Sequence, residues 1–346
     1  MKKWKLGIIG TGLIADFHAL AIQSLPNAEL AGFWGTNSQK TAKLIQKWGC
    51  KSWDSYQQML ASDEVEIVII ATPNGAHMEP AVQAARNGKH VLCEKPLEIT
   101  LDRIDKMIKA HEESGTSLGG IFNYRYYDTV NPLKLAIDSG RFGTITYASV
   151  HVPWWRNEDY YKDNWHGTWE LDGGGALMNQ AIHMIDLLQY LMGPVNSLSG
   201  YTATLAHSIE VEDTATAILQ FKSNALGVIY GTPASFPGQF RRLEITGTKG
   251  TAVLVENSFK VWQFDSEMSG DKDILKKFGK IEGGGGVSDP GAIPFQPHAK
   301  NIAAFINSIE KDQTFEIDGA EARKSVEIIL AIYESAKTNR MIPISS

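Results

Sequence analysis

Apolar positions in the first third of the chain fall in short runs. Lys5 to Ile9, Glu29 to Trp34, Glu66 to Ala71, His90 to Cys93 and Ser117 to Phe122 are each of strand length and rich in aliphatic or β-branched residues. Between them the apolar residues recur every three to four positions, over Ile14 to Ser24, Gln39 to Trp48, Ser55 to Ala61, Ala76 to Asn87 and Leu101 to Ser114. Strand alternating with helix predicts a parallel sheet with helices on its faces. Gly10, Gly49, Gly88 and Gly115 stand at element ends, where left-handed backbone is needed.

The rhythm changes after about residue 123. A helix through Ile137 and the run Ile145 to Val152 lead into a long aromatic loop. Six strand-like stretches then follow with no helix between them: Tyr201 to Leu205, Thr214 to Phe221, Ala225 to Tyr230, Arg242 to Thr246, Thr251 to Val255 and Lys260 to Phe264. That pattern predicts a mostly antiparallel sheet. Gly283 to Pro297, with four consecutive glycines and three prolines, reads as a mobile loop, and helices over Ala299 to Glu310 and Gly319 to Lys337 close the chain. The expected fold is α/β: a doubly wound parallel-sheet domain over residues 1–122, then an α+β domain with a large antiparallel sheet over 123–346.

Composition supports two cores, since 346 residues at 43% hydrophobic exceed what one core holds. Thirty-three basic against 39 acidic residues give a net charge of −6 without blocks of like charge, which argues against a nucleic-acid partner. The apolar run Leu6 to Ile9 is far shorter than a secretory or membrane segment, so a cytoplasmic protein without a membrane partner is expected. Cys50 and Cys93 fit no disulfide framework or zinc spacing and are expected to be buried.

Chemistry begins at Leu6-Gly7-Ile8-Ile9-Gly10-Thr11-Gly12-Leu13-Ile14-Ala15, a strand, a glycine turn and a helix with the spacing G-x-G-x-x-A. Gly10 permits the turn, Gly12 lets a pyrophosphate approach the backbone, and Ala15 allows close helix packing. Gly10, Thr11, Gly12, Leu13 and Ile14 are thus candidates for holding NAD or NADP. After the second strand the chain reads Trp34 to Lys40 with no carboxylate for the ribose hydroxyls. Thr36, Asn37 and Lys40 suit a 2′-phosphate and lean the choice to NADP; the plainer reading is turn residues with a solvated lysine.

The runs Ala71-Thr72-Pro73-Asn74-Gly75-Ala76-His77 and Gly88 to Pro96, ending Glu94-Lys95-Pro96, resemble the Gfo/Idh/MocA oxidoreductases. Phe122-Asn123-Tyr124-Arg125 is similar to that family's domain junction, Gly173-Gly174-Gly175-Ala176 to Asp186 to its active-site helix, and Tyr333 to Ala336 to its last helix. The resemblance implies a Rossmann domain first, a catalytic Lys95, and a cofactor lined by Thr72, Pro73, Asn74, His77, Glu94, Lys95, Asn123 and Arg125. From the residues alone, Lys95 follows a short strand at the sheet's carboxyl edge, where open α/β folds bind ligands, and a partly desolvated lysine there exchanges protons readily.

Asn179, His183 and Asp186 share one face of a helix, opposite Leu177, Met184, Leu188 and Leu191. His183 is the candidate general acid and base, oriented by Asp186 or another neighbour. Much of the family has aspartate where this chain has Asn179, and an asparagine orients a hydroxyl without relaying a proton. Trp154-Trp155-Arg156 to Tyr160-Tyr161 and Trp165 to Trp169 offer aromatic faces and donors to a pyranose, or else a packed loop. Tyr124, Trp155, Arg156, Trp165, Lys95, Asn179 and His183 are the candidate substrate contacts. His151, His166 and His183 have no metal-site spacing, so no metal is expected. The expected activity is hydride transfer between a nicotinamide and a hydroxyl or ketone of a sugar, sugar derivative or cyclitol. The alternative is a non-catalytic NAD(P)-binding sensor or scaffold. A homodimer or homotetramer formed through the second domain's sheet is the expected assembly.

Overall fold

The computed structural model describes residues 2–162, 165–280, 287 and 294–344. It divides into two compact units, Met1–Asn123 with Pro294–Val326, and Tyr124–Ile293 with Glu327–Ser346.

In the first unit β1 (Trp4–Ile9), β2 (Ala28–Trp34), β3 (Lys51–Ser52), β4 (Ile67–Ile70), β5 (His90–Cys93) and β6 (Leu118–Gly120) form one parallel sheet in the order β3-β2-β1-β4-β5-β6. β4 is buried at every position, as a central strand covered on both faces must be. The order reverses at β1 and β4, which opens a crevice beyond their carboxyl ends. The helices α1 (Leu13–Gln23), α2 (Ser38–Trp48), α3 (Tyr56–Ala61), α4 (Met78–Arg86) and α5 (Leu101–Ser114) fall where the periodicity puts them. Side chains of Asn37, Ser55 and Thr100 cap α2, α3 and α5, and Gly49 and Gly115 end α2 and α5 at φ 61° and 67°.

The second unit holds α6 (Val130–Asp138), β7 (Ile145–Pro153), α7 (Ile182–Met192), β8 (Val195–Ala203), β9 (Thr214–Phe221), β10 (Leu226–Thr232), β11 (Arg242–Gly247), β12 (Gly250–Val255), β13 (Ser258–Phe264) and α8 (Asp271–Phe278). The chain continues through α9 (Gln296–Glu310), α10 (Gly319–Thr338) and β14 (Ile342–Pro343). The sheet runs β13-β12-β11-β7-β10-β9-β8-β14, antiparallel except where β7 and β10 run parallel. β9 alternates strictly between buried and exposed positions, so one face of the sheet carries the core.

Three features differ from the sequence pattern. β8 begins at Val195, not Tyr201; its Ser197, Ser199 and Gly200 look like loop, yet Gly200 has no room for a side chain beside Ile332 and donates its amide to Ser335. The boundary after residue 122 misses a return of the chain: residues 294–326, with α9, belong to the first unit, where α9 packs on α1 and the Ile317 carbonyl accepts from Gly120 at the open edge of β6. Cys93 is buried but Cys50 is only half-buried, and both are free thiols. Most of the expected loop over 283–297 lies outside the described residues, and its last two positions open α9.

Candidate active site

Gly10 sits at φ +120° with its amide on the Trp34 carbonyl, and a Cβ there would lie 2.2 Å from the Ala71 carbonyl oxygen. Gly12 differs. Its backbone suits any residue, and among the described residues a Cβ there would meet nothing within 4 Å. No side chain caps α1, so the first-turn amides of Leu13 and Ile14 lie outside the helix's own hydrogen-bond ladder. Open space before an uncapped helix N-terminus fits a dinucleotide pyrophosphate. Thr11 fills the space that Gly35 leaves. Beyond β2, Thr36 and Lys40 are exposed, and Asn37 caps α2 by accepting from the Lys40 amide at 2.9 Å.

Two loops leave the same sheet edge. Thr72 bonds the Ala76 carbonyl at 3.0 Å, and Asn74 is buried in the short 3₁₀ turn Asn74–Ala76. His77, expected to touch cofactor, is fully buried with its ring nitrogens 3.0 Å from the Thr72 and Pro96 carbonyls; its part is to tie the 72–77 loop to the one carrying Lys95. Lys95 is half-buried and its bond to Pro96 is cis.

Glu94 is buried, with one oxygen 2.7 Å from His18 Nε2 and the other accepting from the Lys95 amide at 3.1 Å. Burial pushes its carboxyl up, but the His18 hydrogen bond and the charges of His18, His298 and Lys95 outweigh that and hold it at about 2. The His298 ring packs edge-on to His18 at 5.3 Å and is kept down at about 4 by burial and by His18, against the pull of Glu94. Asn123 places its amide nitrogen 3.2 Å from His298. His18 and His298 escaped the sequence reading; a single histidine in the apolar helix Leu13–Gln23 was the only signal.

In the second unit a π-helical turn, Ala176–Ala181, precedes α7. A uniform 100° per residue therefore does not describe the face shared by Asn179 and His183. Even so, between Asp172 and Gln189 every residue except these two is buried. Glu212 holds the start of the turn by accepting from the amides of Gly175 and Leu177 at 2.8 and 2.9 Å and from the Tyr333 hydroxyl at 2.9 Å. Burial raises its carboxyl to about 7 despite those bonds. Asn179 donates to Asp172 at 2.8 Å.

His183 stacks on Tyr124 at 4.5 Å between ring centroids, and the guanidinium of Arg241 lies 4.0 Å over the same tyrosine. Tyr124 is buried, and burial lifts its phenol well above the ordinary range. Asp186, expected to orient His183, and Arg125, expected to line the cofactor, form a buried two-pronged pair at 2.7 and 2.6 Å. The aromatic loop is a packed cluster: Trp155 lies 6.1 Å from His207, Trp165 lies 3.7 Å from His166, and buried Arg156 donates to the Trp155 and Val287 carbonyls. Among the described residues no group of three or more His, Cys, Asp or Glu is placed to hold a metal ion, and no helix is long and apolar enough to cross a membrane.

Two family models match the chain, one described as the oxidoreductase family with an NAD-binding Rossmann fold over residues 4–120, the other as the GFO/IDH/MocA C-terminal domain over residues 130–253. The glucose-6-phosphate 3-dehydrogenase of Bacillus subtilis (strain 168) is 36% identical over 192 residues, a stretch covering 54% of this chain and only 53% of that relative. The inositol 2-dehydrogenase of Rhizobium meliloti (strain 1021) is 26% identical over 361 residues, 99% of both chains. The solved structure of the WlbA dehydrogenase from Bordetella pertussis in complex with NADH and UDP-GlcNAcA matches with a TM-score of 0.90 at 34% identity, covering 100% of this chain and 99% of that one.

Proposed function

The chain belongs to the GFO/IDH/MocA oxidoreductase family, and on that premise we propose that it moves a hydride between a nicotinamide dinucleotide and a secondary hydroxyl or ketone of a sugar, sugar derivative or cyclitol. The observation that carries this reading is the occurrence, in one chain, of an uncapped glycine-turn helix and of a buried helical stretch from Asp172 to Gln189 in which Asn179 and His183 alone are not buried. The bound dinucleotide supplies or takes up the hydride. Gly10 to Ile14 hold its pyrophosphate. Lys95 hydrogen-bonds the reacting oxygen, His183 takes the hydroxyl proton during oxidation and returns it during reduction, and Asn179 orients a hydroxyl.

The exposed stretch Thr36, Asn37 and Lys40, with no carboxylate to repel a 2′-phosphate, supports binding of NADP at least as well as NAD. Side-by-side dissociation constants test this, and a preference for NAD that persists in Lys40→Ala would reverse it. Tyr201, Ile218 and Leu226 are 73%, 65% and 58% exposed on the uncovered face of the second unit's sheet, which supports a homodimer or homotetramer formed there. Light scattering of Ile218→Lys, expected to shift the protein to a smaller species, checks it. Free thiols and the family's small polar substrates fit a cytoplasmic setting.

The activity test is absorbance at the reduced-nicotinamide band with purified protein and a panel of sugar phosphates, cyclitols and nucleotide-linked acidic sugars, the last chosen because of the WlbA ligand. Turnover of one class supports the reading. Cofactor binding without turnover across the panel would favour a sensor or scaffold.

A further inference from the structure

Asp172 is 1% exposed, and both its oxygens have donors: the Gly167 amide at 2.9 Å on Oδ2, and Asn179 Nδ2 at 2.8 Å on Oδ1. The backbone around the pair is fixed. Asp172 and Gly173 donate to the Thr168 carbonyl, the Asn179 amide bonds the Gly175 carbonyl at 2.9 Å, and Glu212 clamps Gly175 and Leu177. A carboxylate accepts hydrogen bonds and does not donate them. The Asn179 side chain therefore has one orientation against Asp172, its NH₂ towards the carboxylate and its Oδ1 away from it.

We infer that Asp172 is a positioning residue that locks Asn179 as a hydrogen-bond acceptor for a substrate hydroxyl, and so selects a hydroxyl over a carbonyl or an ether oxygen at that point of the substrate. This rests on the reading of the second unit as the site for a polyhydroxylated substrate. Asn179 then works through the fixed direction of its amide; His183 carries the proton. An asparagine held by a buried carboxylate also differs from an aspartate at the same place, because a carboxylate at 179 would face Asp172 as a like charge.

The test is a four-cornered set: the parent, Asp172→Asn, Asn179→Asp and the double swap D172N/N179D. In Asp172→Asn the new amide keeps its oxygen on the Gly167 N–H and turns its NH₂ to Asn179, which flips and presents a donor to substrate. In Asn179→Asp two carboxylates oppose each other. Each single variant should lose about 10- to 100-fold in kcat/KM, mainly through KM for Asp172→Asn. The double swap restores the order of donor and acceptor, since the amide at 172 donates to the carboxylate at 179, which again presents an acceptor. It should recover to within about fivefold of the parent. NADH affinity and melting temperature are recorded for all four and should stay near the parental values for Asp172→Asn and the double swap, which separates lost positioning from lost folding. Asp172→Asn at the parental kcat/KM, or a double swap no better than the worse single variant, would overturn the inference while leaving the proposed function standing. A parent that turns over no member of the panel would overturn the proposed function and this inference with it.

Discussion

In the first unit the buried carboxylate of Glu94 has a histidine at 2.7 Å and a second one behind it, and it stays ionised at about 2. In the second unit the equally buried Glu212 meets only neutral donors, two backbone amides and a tyrosine hydroxyl, and burial lifts it to about 7. The two carboxylates do different work. Glu94 keeps a fixed charge beside Lys95 and the crevice of the sheet; Glu212 ties down a helix start with a carboxyl that burial makes harder to ionise. The candidate cofactor side thus rests on glycine turns and a carboxylate among histidines, and the candidate substrate side on carboxylates that hold backbone and side-chain donors, a buried ion pair and a stacked ring.

The contrast breaks most sharply at the glycine turn. Gly12→Val should abolish dinucleotide binding while the fold survives, because the backbone there tolerates any residue and the new side chain enters open space. Gly10→Ala should instead damage the fold, since its Cβ would press on the Ala71 carbonyl. Calorimetric titration with NADH and a melting curve for each variant decide the matter, and undiminished affinity in Gly12→Val would remove the pyrophosphate from this turn.

Next in size is the chemistry. On the proposed function, Lys95→Met and His183→Ala should each lower turnover by about 10²- to 10⁴-fold with little change in cofactor affinity, because each removes a group proposed to act on the reacting oxygen and leaves the glycine turn intact. If both serve one reacting oxygen, the double variant is far less impaired than the product of the single losses. Losses that multiply would assign the two residues to separate steps.

How far the sequence spoke for each unit follows the same division. Periodicity and glycine are local signals, so in the first unit five strands and five helices fall within a residue or two of their expected ends, and Gly10, Gly49, Gly88 and Gly115 all take positive φ. The place of the glycine turn between β1 and α1 was legible for the same reason, whereas Lys95 was singled out through the resemblance of its Glu-Lys-Pro run to the family, and the expected face of Asn179, His183 and Asp186 was altered by the π-helical turn and by the pairing of Asp186 with Arg125. Partnerships of buried groups are not local. His18 finds Glu94 across 76 positions, and nothing in either segment announces it. Asp172 lies only seven residues before Asn179, but the chain returns to it through Gly173 and Gly174 at φ 74° and 156° and then a π-helical turn, a path that regular helix geometry does not predict. Arg125 and Asp186 looked like two separate contacts because each was read without the other.

The smallest expected effect compares the two carboxylates directly, through stability against pH. Glu94 has a folded value below its ordinary 4.5, so the stabilisation it gives is fully present above pH 4.5 and is lost as pH falls from there towards 2. Glu212 has a folded value above 4.5, so its contribution is fully present below pH 4.5 and is lost as pH rises through about 7. Each swing is on the order of 3 kcal/mol. Hydrogen exchange reads the two units separately, with amides of β1 and β4 reporting on the first and those of β9 and β10 on the second. Protection in the first set should fall on acidification below 4.5, and in the second on going from 4.5 to 7. His18→Leu takes away the partner that holds Glu94 ionised, so it should lower protection of the first set at pH 7 and flatten its acid limb. Glu212→Gln keeps an acceptor for the helix start but cannot ionise, so the 4.5-to-7 slope of the second set should disappear. Should that slope survive the substitution, Glu212 is not its source, and the contrast between a lowered and a raised buried carboxylate reduces to Glu94 alone.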